Sequence, residues 1–537
     1  MKKIIILLWL FVIPLWAQKE NNTQSIELPD FVITGKQKIT MPKFSKKEPD
    51  FIPLLSKDFF NPKFPNEEEI PINLSKQKIE EVNIFNKLQG TNGLIKASGG
   101  LYTLPKLDVF YGNWINNFSY DFHLFGLQER KYIDYAGITN YGGRLGTKYF
   151  VEQNAKVLPG MEVSFNGNYK IEKYNFFGSA VPKTKRETNF ADADISVNFT
   201  SNRKFQFGFG LNDNYYEQVA DTINENINEN INENIFGTKG FMQFRLMNMD
   251  IKLEGTYKNQ TIDKTKLHFG NTYYFNTIAT ASLNLFRRIN IKAGAYIAES
   301  NNNTFFSPIA YGSFKLTNYI TLLGEFSPFA ELRTMKNFVN QNRYYKLNNF
   351  VNSFVENKVN MKFAVRFEYE QYFEINGGVG YLNSDNDVYF IDEDKDGFFN
   401  AFIDDTENTY VFLNALFRKG PGGEFYGELK VQDVRDSDNK KVPYAPTVLA
   451  NLTYMYNLSS TFGTKIKLDF HNGSYTDKGN TLEIPKMIDL SLSAYYKLFR
   501  NFNFTLSLEN LLDNKYYYYQ NYKAKPFDIL GGFEYRF

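Results

Sequence analysis

The sequence predicts an all-β protein: a transmembrane antiparallel β-barrel of about 18–22 strands with an extended N-terminal periplasmic arm. Three observations carry this. Apolar and polar residues alternate with period two from about Gly93 to the last residue. The alternating runs are joined by tight turns in some places and by long polar segments in others. The 537 residues include 53 Phe and 37 Tyr. Beyond the leader, no apolar run reaches the ~18 residues of a membrane helix, so interleaved rings carry the apolar content.

The chain opens with Met1-Lys2-Lys3, an apolar run from Ile4 to Trp16, and Ala17 before Gln18. A basic start, a short apolar core and a small residue make a secretory signal peptide, residues 1–17, cleaved after Ala17. The run is too short to cross ~30 Å of hydrocarbon comfortably. Residues 18–92 follow as the arm. They hold seven of the 18 prolines and mix 11 Lys with 11 Asp or Glu. Prolines at 29, 42, 49, 53, 62, 65 and 71 forbid long helices and central strands, leaving room for a short helix near Ser75–Leu88.

Residues 93–537 form the barrel. In Val359–Glu370, Val359, Met361, Phe363, Val365, Phe367 and Tyr369 alternate with Asn360, Lys362, Ala364, Arg366, Glu368 and Glu370. Phe462–Phe470, Phe502–Glu509, Phe205–Leu211 and Ile488–Leu498 repeat the pattern. Successive strand side chains point to opposite faces, so each run has one apolar and one polar face. The runs are nine to twelve residues long, as a bilayer requires. Tight connections stand at Ser201–Arg203, Asn248–Asp250, Arg287-Arg288, Leu316–Asn318 and Arg500-Asn501; long ones lie around 217–236, 329–350, 384–408 and 471–485. Short turns at one rim and long loops at the other are the layout of an outer-membrane barrel. Rings at Tyr344-Tyr345, Tyr495-Tyr496 and Tyr516–Tyr519 are expected to form interface girdles. Ile223–Asn234, three copies of Ile-Asn-Glu-Asn, is expected to be a solvent-exposed loop expansion. Inner-face charges such as Arg366 and Lys467 are expected to cost little when removed.

Composition excludes several chemistries. There is no cysteine, hence no disulfide scaffold, thiolate metal site or lipidated N-terminal Cys. The net charge is +2, and Lys2 and Lys3 account for it, so no global electrostatic case exists for nucleic acid. The three histidines, His123, His268 and His471, stand far apart, without a serine-centred or HEXXH motif, so no enzyme is expected. No cofactor is expected except Ca²⁺: Asp392, Asp394 and Asp396, followed by Gly397, have the alternate spacing of a calcium loop. Ile403 stands where an EF-hand needs Glu, so the loop is at most a looser Ca²⁺ site or a solvated acidic turn.

The C-terminus, Asp528–Phe537, reads DILGGFEYRF. It resembles the terminal-strand signal by which the barrel assembly machinery recognises outer-membrane barrels, with Gly532, Tyr535 and Phe537 at its glycine and aromatic places. Leu530 departs from its usual polar start. Ser507–Tyr519, SLENLLDNKYYYY, is similar to the penultimate-strand motif of TonB-dependent receptors, matched at Asn510, Leu511, Leu512, Asp513, Lys515 and Tyr516. Val442–Pro446, VPYAP, resembles another barrel landmark of that family. The resemblance implies an outer-membrane receptor barrel. It also implies a globular plug marked by Ile-Glu-Val-Leu-Arg-Gly-Pro and Gly-Gly-X-Ile-Asn-Ile type segments, and residues 18–92 contain neither. The chain therefore reads as a receptor-type barrel without its plug. Glu27–Gly35, ELPDFVITG, is similar to the TonB box, the stretch that adds as a strand to an energy-coupling protein; Phe31, Val32, Ile33 and Thr34 are its β-prone run.

These readings give two functions. One is solute uptake or passage across the outer membrane, with a TonB-type coupling protein or a separate plug protein as partner. The other is a non-transporting anchor that docks a periplasmic or extracellular partner. Both place the barrel among outer-membrane lipids, with the arm in the periplasm.

Overall fold

The computed structural model describes residues 92–537 apart from 203, 222–228, 248, 265–266, 286–287, 302, 347–352, 371 and 419–422. The leader and the arm up to residue 91, Phe31–Thr34 included, lie outside the described residues.

Twenty-two strands make one antiparallel sheet: β1 (Gly93–Gly100), β2 (Thr103–Ile115), β3 (Phe118–Glu129), β4 (Ile138–Phe150), β5 (Glu162–Asn175), β6 (Lys185–Phe199), β7 (Phe205–Asp221), β8 (Glu229–Leu246), β9 (Met249–Lys264), β10 (Leu267–Leu285), β11 (Ile289–Ser300), β12 (Asn303–Lys315), β13 (Ile320–Phe326, resuming at Phe329–Arg333), β14 (Ser353–Tyr369), β15 (Phe373–Ile391), β16 (Asn400–Arg418), β17 (Glu424–Asp436), β18 (Val448–Asn457), β19 (Phe462–His471), β20 (Met487–Phe499), β21 (Phe502–Glu509) and β22 (Asp528–Arg536). A seven-residue helix, α1 (Met335–Gln341), lies between β13 and β14. Each strand pairs with its sequence neighbour, and β22 pairs with β1, so the sheet closes. Closure leaves no sheet edge in hydrocarbon.

The seam is built from glycines and the chain end. Ser98 sits opposite Gly532. A Cβ on Gly532 would stand 2.5 Å from the Ala97 carbonyl oxygen and 2.6 Å from Ser98 Cβ, so a side chain there would force β1 and β22 apart. The Phe537 carbonyl accepts from the N–H groups of Asn92 and Gly93, at 2.7 and 2.9 Å. The ring of Phe537 packs on Gly93 and stacks near Tyr535 and Tyr111. At the other end of the seam, Asp528 accepts from Leu101 N, Tyr102 N and Thr103 Oγ1.

The two faces of the strands separate as the alternation requires. Phe363, Val365, Val411, Leu413, Phe504, Leu506, Phe533, Tyr535 and Phe537 point outward and are exposed on the isolated barrel. Ala364, Arg366, Tyr410, Phe412, Asn503 and Glu534 point inward and are buried. This inverted pattern is the lipid-facing band of a barrel.

Four expectations change. Strand length runs from 8 residues in β1 and β21 to 19 in β10, β15 and β16, so several strands exceed the nine to twelve read from the alternation. Nineteen residues at ~3.3 Å each extend about 60 Å, beyond what a bilayer needs even at steep tilt. The Ile-Asn-Glu-Asn copies are not all loop. Residues 229–234 belong to β8, with Ile231 and Glu233 buried inward and Asn234 outward. A four-residue period is a multiple of two, so the repeat is itself a two-faced strand. The segment 384–408 is mostly β15 and β16, leaving 392–399 as the loop. Finally, Arg366 Nε lies 3.4 Å from Glu374 Oε1, and both side chains are almost completely buried. Removing Arg366 would strand a buried carboxylate, so this inner-face charge is not cheap to lose.

Candidate functional site: a loop cap and the cavity beneath it

The short β2–β3, β8–β9, β10–β11, β12–β13 and β20–β21 connections and both ends of the barrel chain share one rim, with the longer 151–161 connection; the long β13–β14, β15–β16, β17–β18, β19–β20 and β21–β22 connections share the other, with the short β1–β2 and β11–β12 links. At the loop rim, the connections and strand ends pack on one another inside the barrel mouth. Phe176, Met335, Phe338, Tyr344, Tyr345, Phe390, Phe398, Phe399, Tyr444, Tyr519 and Tyr522 form one continuous apolar core. Contacts are close: Tyr344 stacks on Tyr522 with ring centroids 3.5 Å apart, and Phe176 lies 4.9 Å from Phe398. The phenol hydroxyls tie loops together. Tyr519 donates to the Gln341 carbonyl, Tyr522 to that of Gly397, and Tyr174 to that of Arg343, each at 2.6 Å. Burial raises the phenol pKa of Tyr344 above its ordinary value, so it stays neutral within the core.

Helix α1 is the centre of this cap. Thr334 is its N-cap, accepting from Asn337 N. Met335, Phe338 and Val339 recur at helical spacing and bury one face in the core. Glu233, from the repeat strand, accepts from Met335 N at 2.7 Å, Lys336 N at 3.2 Å and Gln260 Nε2 at 2.6 Å. A carboxylate at the first turn satisfies orphan helix amides. The repeat is thus wired into the cap.

Below α1 lies a cavity of about 600 Å³. Lys106, Lys170, Lys336, Arg343 and Lys525 bring positive charge to its wall, Glu129, Glu172 and Glu509 negative charge. Tyr132, Tyr174, Phe177, Phe190, Tyr344, Tyr518 and Tyr519 supply ring surface. Lys525 is almost completely buried; its Nζ meets Thr103 Oγ1 at 2.7 Å, Asp528 Oδ2 and Glu509 Oε2 at 2.9 Å, and Glu129 Oε1 at 3.4 Å. Burial works against the charge of Arg343, but Glu172, 3.3 Å away, together with Tyr344, Tyr174 and Glu129, holds the guanidinium above its already high ordinary value. The cavity therefore combines paired charges with aromatic walls, the mixed lining that orients a small molecule.

The sequence-derived candidates fall into place as follows. In the 392–399 loop, Asp392 accepts from Asp396 N and Gly397 N at 3.0 and 2.9 Å. Burial raises the Asp392 carboxyl above its ordinary value, and these two N–H bonds pull the other way. Lys346 takes Asp396 at 2.9 Å and Asp394 at 3.5 Å. Among the described residues no three carboxylates or histidines gather as metal ligands. Gly397 has φ +80°, and a Cβ there would stand 2.4 Å from Ser179 Cα, so the loop lies directly on the β5–β6 connection. Gly532, Tyr535 and Phe537 meet at the seam. Asn510, fully buried with φ +47°, holds its turn by donating to the Asn514 and Lys525 carbonyls. Tyr516 Oη reaches Asp489 at 3.1 Å. His123 faces inward, 2.9 Å from Asp108 and stacked on Phe110; His471 ends β19, and the side chain of His268 lies outside the described residues.

The barrel superimposes on solved outer-membrane proteins. The ferric-catecholate import receptor Fiu from E. coli K12 matches with a TM-score of 0.64 and 9% identity, covering 83% of this chain and 82% of that one. The siderophore receptor PiuA from Acinetobacter baumannii gives 0.65 and 10% over 83% and 81%. The FrpB iron transporter from Neisseria meningitidis gives 0.66 and 9% over 84% and 82%. The fold is that of the TonB-dependent receptor barrel. No family model and no curated protein matches the sequence. At such identity the likeness to TonB-dependent receptors extends to architecture, and the cap and cavity must be read from their own residues.

The cap overturns one expectation. Tyr344, Tyr345, Tyr516 and Tyr519 are not an interface girdle; they are buried in the mouth. Of the Tyr495-Tyr496 pair, Tyr496 faces out and Tyr495 faces in, donating to Asn457 Oδ1 at 2.8 Å. A girdle ring belongs to an alternating strand. Tyr344 and Tyr345 instead follow the helical Met335–Phe338–Val339 pattern, and Tyr516–Tyr519 follow a turn motif. That difference in local pattern is the signal that marks the cap.

Proposed function

We propose that the protein is an outer-membrane transporter barrel whose outer mouth is closed by its own loops. The carrying observation is the aromatic core around α1 standing directly over a 600 Å³ cavity, inside a closed barrel of receptor type. A solute entering from the loop rim must displace the cap, and the cavity volume suits a small molecule. The barrel neighbours carry names tied to iron, siderophores and copper, which supports small-molecule cargo without choosing one. In this reading the leader exports the chain, the turn rim and the arm face the periplasm, and Phe31–Thr34 pairs with an energy-coupling protein. A plug, if one acts, comes from a separate chain.

A cysteine placed at Ile33, in a protein with no native thiol, tests the coupling. A crosslink to the coupling protein that disappears with Val32→Pro supports active uptake, because proline removes a strand donor and fixes φ. The density of the aromatic seal favours a second reading, the non-transporting anchor. Capture of other periplasmic proteins along the arm, with no coupling-protein adduct, would favour it.

A further inference from the structure

We propose that the inner wall of β14–β17 carries an oxyanion-binding site, built by Lys362 and Lys430 over a floor made by Tyr410 and Phe412. Lys362 and Lys430 alternate with outward Phe363, Leu429 and Val431, so both point into the lumen. Lys362 Nζ stands 4.4 Å above the Phe412 ring centre, and Lys430 Nζ 4.6 Å above that of Tyr410. The floor has a structural cause. The strand between them, β15, places Gly378 and Gly380 opposite Phe412 and Tyr410. A Cβ on Gly380 would sit 2.2 Å from the Tyr410 ring, so that ring lies across the glycine toward Lys362, its cross-strand neighbour.

Neither ammonium has an ion pair or hydrogen bond among the described residues. The two lie within electrostatic range of each other. Glu325, opposite Lys362, lends it countercharge, but it also serves Lys292 along the row Lys292–Tyr311–Glu325–Lys362, so one carboxylate stands against two lysines there. Glu428, two residues from Lys430 on the same face, is engaged by Tyr426. Half-buried cations in excess of their countercharge are costly, and ring faces attract an ammonium without offering lone pairs to its N–H donors. An anion with several oxygens between them supplies both countercharge and acceptors. The ligand class is a small solute bearing phosphate or carboxylate. This rests on the transport reading only for the route by which the anion arrives.

The test is calorimetric titration of the full-length protein in detergent with inorganic pyrophosphate at low salt. Saturable binding is expected, weakened at least tenfold by Lys362→Met and by Lys430→Met, and weakened by added salt. Lys467→Met, which removes a lumen lysine already paired with Asp469 at 2.6 Å, should leave binding unchanged. Heat-modifiable migration on gels verifies that each variant is folded. Absence of millimolar binding in the wild type, or equal loss in all three variants, overturns the site. A barrel that binds pyrophosphate but stays electrically silent counts against the transport reading and leaves the site standing.

Discussion

Phe363→Arg measures whether the outward face of β14 meets lipid. Phe363 lies six residues from Tyr369, the last residue of β14 before the tight turn. At a rise of ~3.3 Å and a tilt of ~45°, that puts its side chain roughly 14 Å above the turn rim, close to the middle of a ~30 Å core. An arginine at that depth should destabilise the barrel by about 2–4 kcal/mol. Two inner-face neighbours calibrate the value. Arg366→Ala abandons buried Glu374 and should cost about 3 kcal/mol, whereas unpaired Lys362→Met should change stability by less than about 1 kcal/mol. Urea unfolding in phospholipid vesicles, followed by tryptophan fluorescence, gives all three. A Phe363→Arg barrel as stable as the wild type would refute the lipid-facing assignment of this face.

Deleting Phe537, which removes its ring and its carbonyl clasp on Asn92 and Gly93, or changing Tyr535 and Phe537 to Ser, which removes both rings, should sharply reduce heat-modifiable protein in outer-membrane fractions; unchanged levels would contradict the seam's role. Gly532→Val should do the same, because its side chain meets the Ala97 carbonyl and Ser98 across the closing strand pair. Chelation with EDTA should leave the melting temperature unchanged, since Lys346 and the 392–399 amides already satisfy Asp392 and Asp396; a large downward shift would instead restore the calcium loop.

The barrel was legible because its cause is local. Alternation assigns each side chain to a face wherever one face meets lipid, and runs such as Val359–Tyr369 state it residue by residue. The tight turns were equally readable, and the glycine and rings of Gly532–Phe537 pointed to the seam. The cap was not legible, because its cause is tertiary. Tyr344 and Tyr522 are 178 positions apart and meet only when the barrel has closed. The same holds for Lys362 and Lys430, which share one ring-floored stretch of wall because Gly380 of an intervening strand leaves room for the Tyr410 ring. The Ile-Asn-Glu-Asn copies show the reverse error: low complexity suggested a loop, although the period was compatible with a strand and Glu233 had an amide-rich partner waiting in α1.

Single-channel recording of the purified chain in planar bilayers, beside Tyr344→Ala/Tyr519→Ala, decides most directly whether the loops are a gate. The double substitution removes the Tyr344–Tyr522 stack and the Tyr519–Gln341 bond at the centre of the seal. The wild type should be closed, with at most brief openings, and the variant should pass large sustained currents through a 22-stranded lumen. Large stable currents from the wild type, or a variant that is folded yet silent, would contradict a mouth gated by the cap.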